Sequence, residues 1–150
     1  MTTPRTEENR RRKGTALVEF AISVPFLFLL TMGATDFGRL FYHALVVTHA
    51  AGVASEFAAY DGIHAVNYTG TETVALADAF EVKGATATAT HVCVCTAGGA
   101  AVSCNLDTCG GQPPRVYAKV TVQHNFQTMG SYPSIPASTL IGREAWRRVQ

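Results

Sequence analysis

The sequence predicts an α+β chain in which one long N-terminal helix, apolar enough in its first half to span a membrane, packs through its second half on a small antiparallel sheet. Three observations carry this expectation. A basic block precedes an uncharged apolar run, a helical period then continues without a strong stop as far as Asp61-Gly62, and from Ala85 the period changes to two.

The N-terminal third comes first. Arg5, Arg10, Arg11, Arg12 and Lys13 stand before a segment of Ala, Ile, Val, Phe and Leu, and no charge occurs between Glu19 and Asp36. A cleaved secretory signal has an apolar region of roughly 7 to 15 residues followed by a small-residue cleavage site. Residues 16–34, at a rise of about 1.5 Å per residue, reach about 28 Å and nearly match the hydrocarbon core of a bilayer. By the positive-inside rule the basic cluster stays cytoplasmic and the chain beyond Ala34 is sent outside. The expected organisation is therefore a polar, disordered cytoplasmic leader over 1–14, a transmembrane helix over 15–34 with the lipid bilayer as its partner, and an extracytoplasmic domain over 35–150. Pro25 lacks an amide hydrogen and predicts a local kink that a membrane helix tolerates.

Glu19 is the unusual residue of this run. An acid at the centre of a spanning helix costs about 2.5 to 3.5 kcal/mol, so it either escapes to the headgroups or serves a function. Gly14, four residues and then Glu19, flanked by a basic and an apolar block, resembles the signal read by prepilin peptidases, which cut after the glycine on the cytoplasmic face. Cleavage there makes Thr15 the new N-terminus and Glu19 the fifth residue.

The run Gly14-Thr15-Ala16-Leu17-Val18-Glu19-Phe20-Ala21-Ile22-Ser23-Val24-Pro25-Phe26-Leu27-Phe28-Leu29-Leu30, with Asp36-Phe37-Gly38-Arg39-Leu40-Phe41-Tyr42 after it, resembles the TadE-like family of minor pseudopilins from tight-adherence (Flp) pilus systems. The resemblance covers about the first third of the chain. It implies a pilin-like fold and a protein of the bacterial inner membrane that helps to assemble, prime or support a pilus. Its implied partners are a prepilin peptidase, other pilin-like subunits and the pilus assembly machinery. It also implies that Glu19 meets the freed amine of a neighbouring subunit.

Beyond Ala34, Asp36 and Arg39 lie three apart and are placed to pair at the membrane exit. Leu40, Phe41, Ala44, Leu45, Val47, Thr48 and Ala51 form an amphipathic progression, and Ala50, Ala54 and Ala58 form a row of small residues suited to close packing. Residues 61–70, with Gly62, Asn67 and Gly70, read as a loop. Thr71 is placed to cap a short helix whose apolar side holds Val74, Leu76, Ala77 and Phe80 while Glu72, Asp78 and Glu81 face outward.

Four strands are expected after that. In the first, Thr86, Thr88, Thr90, Val92 and Val94 alternate with Ala87, Ala89, His91, Cys93 and Cys95; packing the valines on the long helix would put the cysteines on the opposite face. Gly98-Gly99 turns the chain into a second strand over 100–104. A third, over 115–126, has Val116, Ala118, Val120 and Val122 inward. After a loop bearing Pro133 and Pro136, a last strand over 140–149 packs Leu140 or Ile141 inward.

Chemistry is sparse by comparison. Cys93, Cys95, Cys104 and Cys109 are the chain's four cysteines, and their clustering in a segment expected outside the cytoplasm favours two disulfides, with three pairings open. The competing reading is a tetrahedral zinc site from His91, Cys93 and Cys95 with Cys104 or Cys109, but the spacing is not that of a common zinc motif. An uncleaved, membrane-tethered extracytoplasmic binding or thiol/metal module, carried by Cys93, Cys95, Cys104 and Cys109, is the alternative to a pilus component. The histidines are scattered, and no nucleophile elbow or phosphate-binding loop is present. A net charge of +1, with its basic residues mainly at the two ends, gives no support to nucleic-acid binding. A non-enzymatic chain without a cofactor is expected.

Overall fold

A computed structural model describes residues 5–105, 109–130 and 136–149, with side chains described from Thr15 onward. Helix α1 (Arg5–Ala59) is 55 residues long, about 82 Å at the usual rise, and two short helices come after it, α2 (Gly62–Val66) and α3 (Tyr68–Asp78). Strands β1 (Thr86–Val94), β2 (Ala101–Val102), β3 (Arg115–Gln127) and β4 (Ser138–Arg148) form one antiparallel sheet in the order β2-β1-β3-β4. The α+β architecture expected from the change of period is the one observed.

Helix α1 begins earlier than the leader reading expects. From Arg5 onward the segment read as disordered is helical, while residues 1–4 lie outside the described residues. Glu7 and Glu8 near its start, followed by Arg10 to Lys13, are good helix formers with the acids at the favourable end of the macrodipole. Pro25 does not end the helix, which continues on both sides of it. The C-terminal stop comes at Tyr60, and Asp61 caps the next helix by accepting from the amides of Ile63 and His64.

The second half of α1 is where the domain is built. Val47, Ala50, Ala51, Ala54, Ser55 and Ala58 are all buried, so the row of small residues does let another layer approach closely. What packs there is α3 and the residue after it, through Ala75 and Ala79, and the inner face of the sheet: Ala118, Val120, Val122, His124 and Phe126 of β3, Ala89 of β1 and Ile141 of β4. Because alanines contribute little area, the larger side chains carry the core. Phe126 is the bulkiest of those that are fully buried, and truncating such a residue typically costs about 3 to 5 kcal/mol.

Several local expectations need correction. The 61–70 segment is not a loop: α2 occupies part of it, and α3 starts at Tyr68 with Asn67 as its cap, accepting from the Gly70 amide at 3.0 Å. Thr71 is therefore inside α3, buried, and donates its hydroxyl to Asn67 O. The inward side of this region is Thr71, Ala75, Ala79 and Val82, whereas Leu76, Ala77 and Phe80 are exposed. Glu72 does not simply face solvent, since its carboxylate accepts from the Ala89 amide on the β1 edge that β2 covers only at Cys93 and Val94.

The faces of β1 are also the reverse of packing valines on the helix. Ala87, Ala89 and Cys93 stand opposite Val122, Val120 and Val116, and so share the helix-covered face. Val92 and Val94 lie on the outer face, where Val94, Tyr117 and Trp146 line a shallow cavity of about 370 Å³. The second strand shrinks to Ala101–Val102 after a turn closed by Gly99 N to Thr96 O, with Gly98 at φ 76°. In β4 it is Ile141 that packs inward and Leu140 that is exposed, and Pro133 lies outside the described residues.

Candidate anchoring and assembly site

Among the described residues, none covers the first half of α1. Leu17, Val18, Phe20, Ile22, Phe26, Leu27, Phe28, Leu29 and Leu30 are all exposed, an apolar surface far beyond what soluble monomers leave in water. By length and composition this helix is able to cross a membrane. Its hydroxyls fit that setting. Ser23 donates to Glu19 O at 2.8 Å, Thr31 to Phe28 O at 2.9 Å and Thr35 to Thr31 O at 2.8 Å, so each hydrogen is used inside the helix.

Gly14, Thr15 and Glu19 all lie on the continuous helix α1, and Glu19 is exposed. Positions 15 and 19 are four apart and stack on one face about 6 Å along the axis. The structure thus keeps these residues near one end of the apolar segment, with the uncharged interval ahead of them.

At the other end of that interval stands Asp36, and sequence reasoning found only part of its role. It does pair with Arg39, Nη1 to Oδ1 at 3.3 Å. But Asp36 is only 5% exposed, and its carboxylate also accepts from the Met129 amide at 3.0 Å and the Gly130 amide at 3.4 Å. A buried carboxylate is tolerable only with such partners. The result is a latch that ties the end of β3 to the point where α1 leaves its uncovered half. Arg39 lies over the Phe126 ring at 5.5 Å and extends the same joint into the core.

Above the latch, His43 of α1 and His124 of β3 face one another with ring centroids 5.0 Å apart, and His43 meets Phe126 edge-on at 5.4 Å. Both Nδ1 atoms are buried without a hydrogen-bond partner. Burial lowers the pKa of each; in His43 the charges of His124 and then Arg39 lower it further. Both effects favour the neutral ring over the charged one. Polar links also tie α1 to the other layers: Tyr42 to Glu81 beside this pair and, further up, His49 to Asp78 at 2.7 Å and Glu56 to Arg147 at 2.7 Å.

The cysteines are brought together in pairs, Cys93 with Cys104 and Cys95 with Cys109, spanning 11 and 14 residues of chain. Cα separations of 5.3 and 5.1 Å are ordinary for disulfides. All four sulfurs are consumed, so no thiolate remains for the zinc arrangement or for thiol exchange. His91 turns instead to Tyr68, which hydrogen-bonds and stacks on it.

Residues 14–56 match the family model described as TadE-like protein. That stretch holds Gly14, Glu19, the uncovered apolar helix, the Asp36 latch and the first turns of the core face. No curated protein and no solved structure matches the chain.

Proposed function

We propose that this chain is a membrane-anchored assembly component of a tight-adherence (Flp) pilus, a minor pseudopilin processed by a prepilin peptidase between Gly14 and Thr15. The observation that carries the reading is the TadE-like match over 14–56, which starts at Gly14, covers the uncovered apolar helix and continues along α1 through Asp36 to Glu56. In this reading 1–14 is a cytoplasmic leader, 15–34 spans the inner membrane, and 35–150 is a pilin-like domain outside it. The rest of the pilus machinery and other pilin-like subunits are its partners, and its role is structural and not catalytic. A tethered thiol or metal module is the weaker reading because the four cysteines are already paired with one another.

Cleavage at Gly14 requires the helix to open there, since a peptide bond inside a helix is shielded by its own turns. Glycine helps on both counts. It weakens a helix interior by about 1 kcal/mol relative to alanine, and it carries no side chain to obstruct an approaching protease. The test is Gly14→Val in cells that contain the peptidase. A slower-migrating precursor that keeps residues 1–14, with wild-type protein starting at Thr15 by intact mass, supports the reading; the same N-terminus in both rejects it.

A further inference from the structure

Among the described residues, the domain presents an apolar rim on the side from which the uncovered half of α1 emerges. Phe37 is 69% exposed and Met129 63%, and Phe41 and Leu140 are similarly open. Phe37 and Phe41 form one wall of a groove whose other wall holds Leu140 and Arg143. Among the described residues, no side chain of the domain covers these groups, although hydrophobic neighbours lie within a turn of each.

Their height above the apolar helix is set by the latch. Phe37 lies about 4.5 Å and Arg39 about 7.5 Å beyond Ala34 along the axis. Met129 is held at the level of Asp36 by its own amide, so the end of β3 comes down beside the helix rather than standing clear of it. A headgroup layer is about 5 to 7.5 Å thick on each side of a bilayer. Phe37, Met129 and Arg39 therefore fall within that layer if residues 15–34 span the hydrocarbon. Arg39 suits the depth chemically. Its side chain is 42% exposed, its Nη1 is directed to Asp36, and its guanidinium carbon lies 5.5 Å from the Phe126 ring centroid. The planar guanidinium donors not used by Asp36 lie at a height that matches the oxygens of a lipid phosphate.

We infer that this rim seats the domain in the lipid headgroups of the membrane that α1 spans, with Phe37 and Met129 inserted among them and Arg39 donating to a lipid phosphate. The inference rests on the membrane-spanning part of the proposed function and adds to it a fixed posture of the domain on the bilayer. Such a posture would present the outer sheet face and the disulfide-linked loops away from the lipid.

The test uses the full chain reconstituted at low protein-to-lipid ratio in vesicles of phosphatidylcholine and phosphatidylglycerol carrying bromine at defined depths. In a Trp146→Phe background, single tryptophans are placed by Leu27→Trp, Met129→Trp and Leu140→Trp, all at exposed positions. Leu27→Trp reports the span itself and should be quenched by deep bromines. If it is not, the anchoring reading fails. With that control in place, Met129→Trp should show blue-shifted emission and several-fold quenching by shallow bromines, and Leu140→Trp a weaker effect in the same direction. Solvent-like, unquenched emission from both hairpin probes overturns the seat while leaving the span intact. Blue-shifted emission that appears only as the protein-to-lipid ratio rises assigns the rim to another protein copy, and also overturns it. Arg39→Gln should reduce the Met129→Trp quenching and Arg39→Lys should restore most of it. Quenching indifferent to both changes removes the phosphate contact.

Discussion

The carboxylate of Asp36 receives the backbone amide of Met129 at 3.0 Å, a contact between residues 93 apart in sequence. It joins the two functional halves of the molecule, because Asp36 closes the uncharged interval of α1 and Met129 comes just after the longest strand of the sheet.

Asp36→Ala should leave the Met129 and Gly130 amides without their acceptor at a part-buried site. An orphaned buried donor costs about 1 to 3 kcal/mol, and the Arg39 guanidinium loses its ion pair as well. Asp36→Asn keeps one oxygen acceptor and should cost less. Hydrogen exchange at residues 128–130 is the direct measurement. Exchange in Asp36→Ala as slow as in the wild type would mean that the latch contributes nothing to holding the end of β3.

The disulfides close loops of modest length, and in the chain-entropy account a loop of this size is worth about 3 kcal/mol. Paired replacement, Cys93→Ser with Cys104→Ser or Cys95→Ser with Cys109→Ser, should therefore lower the denaturation midpoint substantially. The Cys93 pair should matter more because Cys93 is buried against Val116, and a serine there would bring a hydroxyl into the core. Peptide mapping under non-reducing conditions tests the connectivity itself. Cross-linked peptides joining Cys93 to Cys95 or Cys109 would refute it.

How much of this was legible beforehand depends on how local each determinant is. The alternation of β3 was readable because Ala118, Val120 and Val122 face a packed helix while Tyr117, Lys119 and Thr121 do not, a contrast visible in one strand. The faces of β1 were not, because they are decided by register. Val92 and Val94 are more apolar than Ala87 and Ala89, but the pairing of Ala89 with Val120 turns the alanines inward, beneath small-residue helices that leave little room. Helix α2 was hidden by its brevity, although Asp61 and Asn67 stand at ordinary capping positions and could have signalled both short helices. Cysteine clustering gave the presence of disulfides without their partners. The Asp36 latch had no sequence signal beyond a lone acid, since its ligands are backbone amides that any residue could supply.

The His43–His124 contact makes stability depend on pH. Both folded-state pKa values lie below the unfolded value of about 6.5, so the folded state binds protons less readily than the unfolded chain. The associated stability is fully present above that unfolded value and is lost as pH falls through it toward the lower folded values. Arg39, itself paired with Asp36, acts on His43 from α1 and adds to the cost of a positive charge there. The melting temperature of the full chain in detergent should drop between pH 7 and pH 5, and His124→Leu should flatten that decline. A leucine of similar bulk also removes an unpartnered buried nitrogen, so its melting temperature at pH 7 should change little. An undiminished acid slope in His124→Leu would place the titrating group elsewhere.

The remaining prediction concerns Glu19, whose cost in the membrane needs an offset. Its side chain is exposed on the bare half of α1, about one turn from Thr15, and in the proposed processed form Thr15 would carry a free amine. Within one chain the two groups already lie at a similar depth. In the proposed assembly, the carboxylate of one chain would lie within about one helical turn of the ammonium of a chain packed beside it. In a poorly hydrated setting such a pair is strongly preferred to either ion alone, because an unpaired charge keeps its full desolvation penalty. Glu19→Ala should therefore insert into the membrane at least as well as the wild type, since the substitution removes an acid that costs up to about 2.5 to 3.5 kcal/mol near the bilayer centre. What it should lose is association. Copurification of other pilin-like subunits at matched membrane levels should fall several-fold, and Glu19→Gln, which keeps the shape but not the charge, should fall with it. If Glu19 were merely an acid hydrated among the headgroups, both variants would recover partners as the wild type does and pilus output would be normal, which would remove Glu19 from assembly.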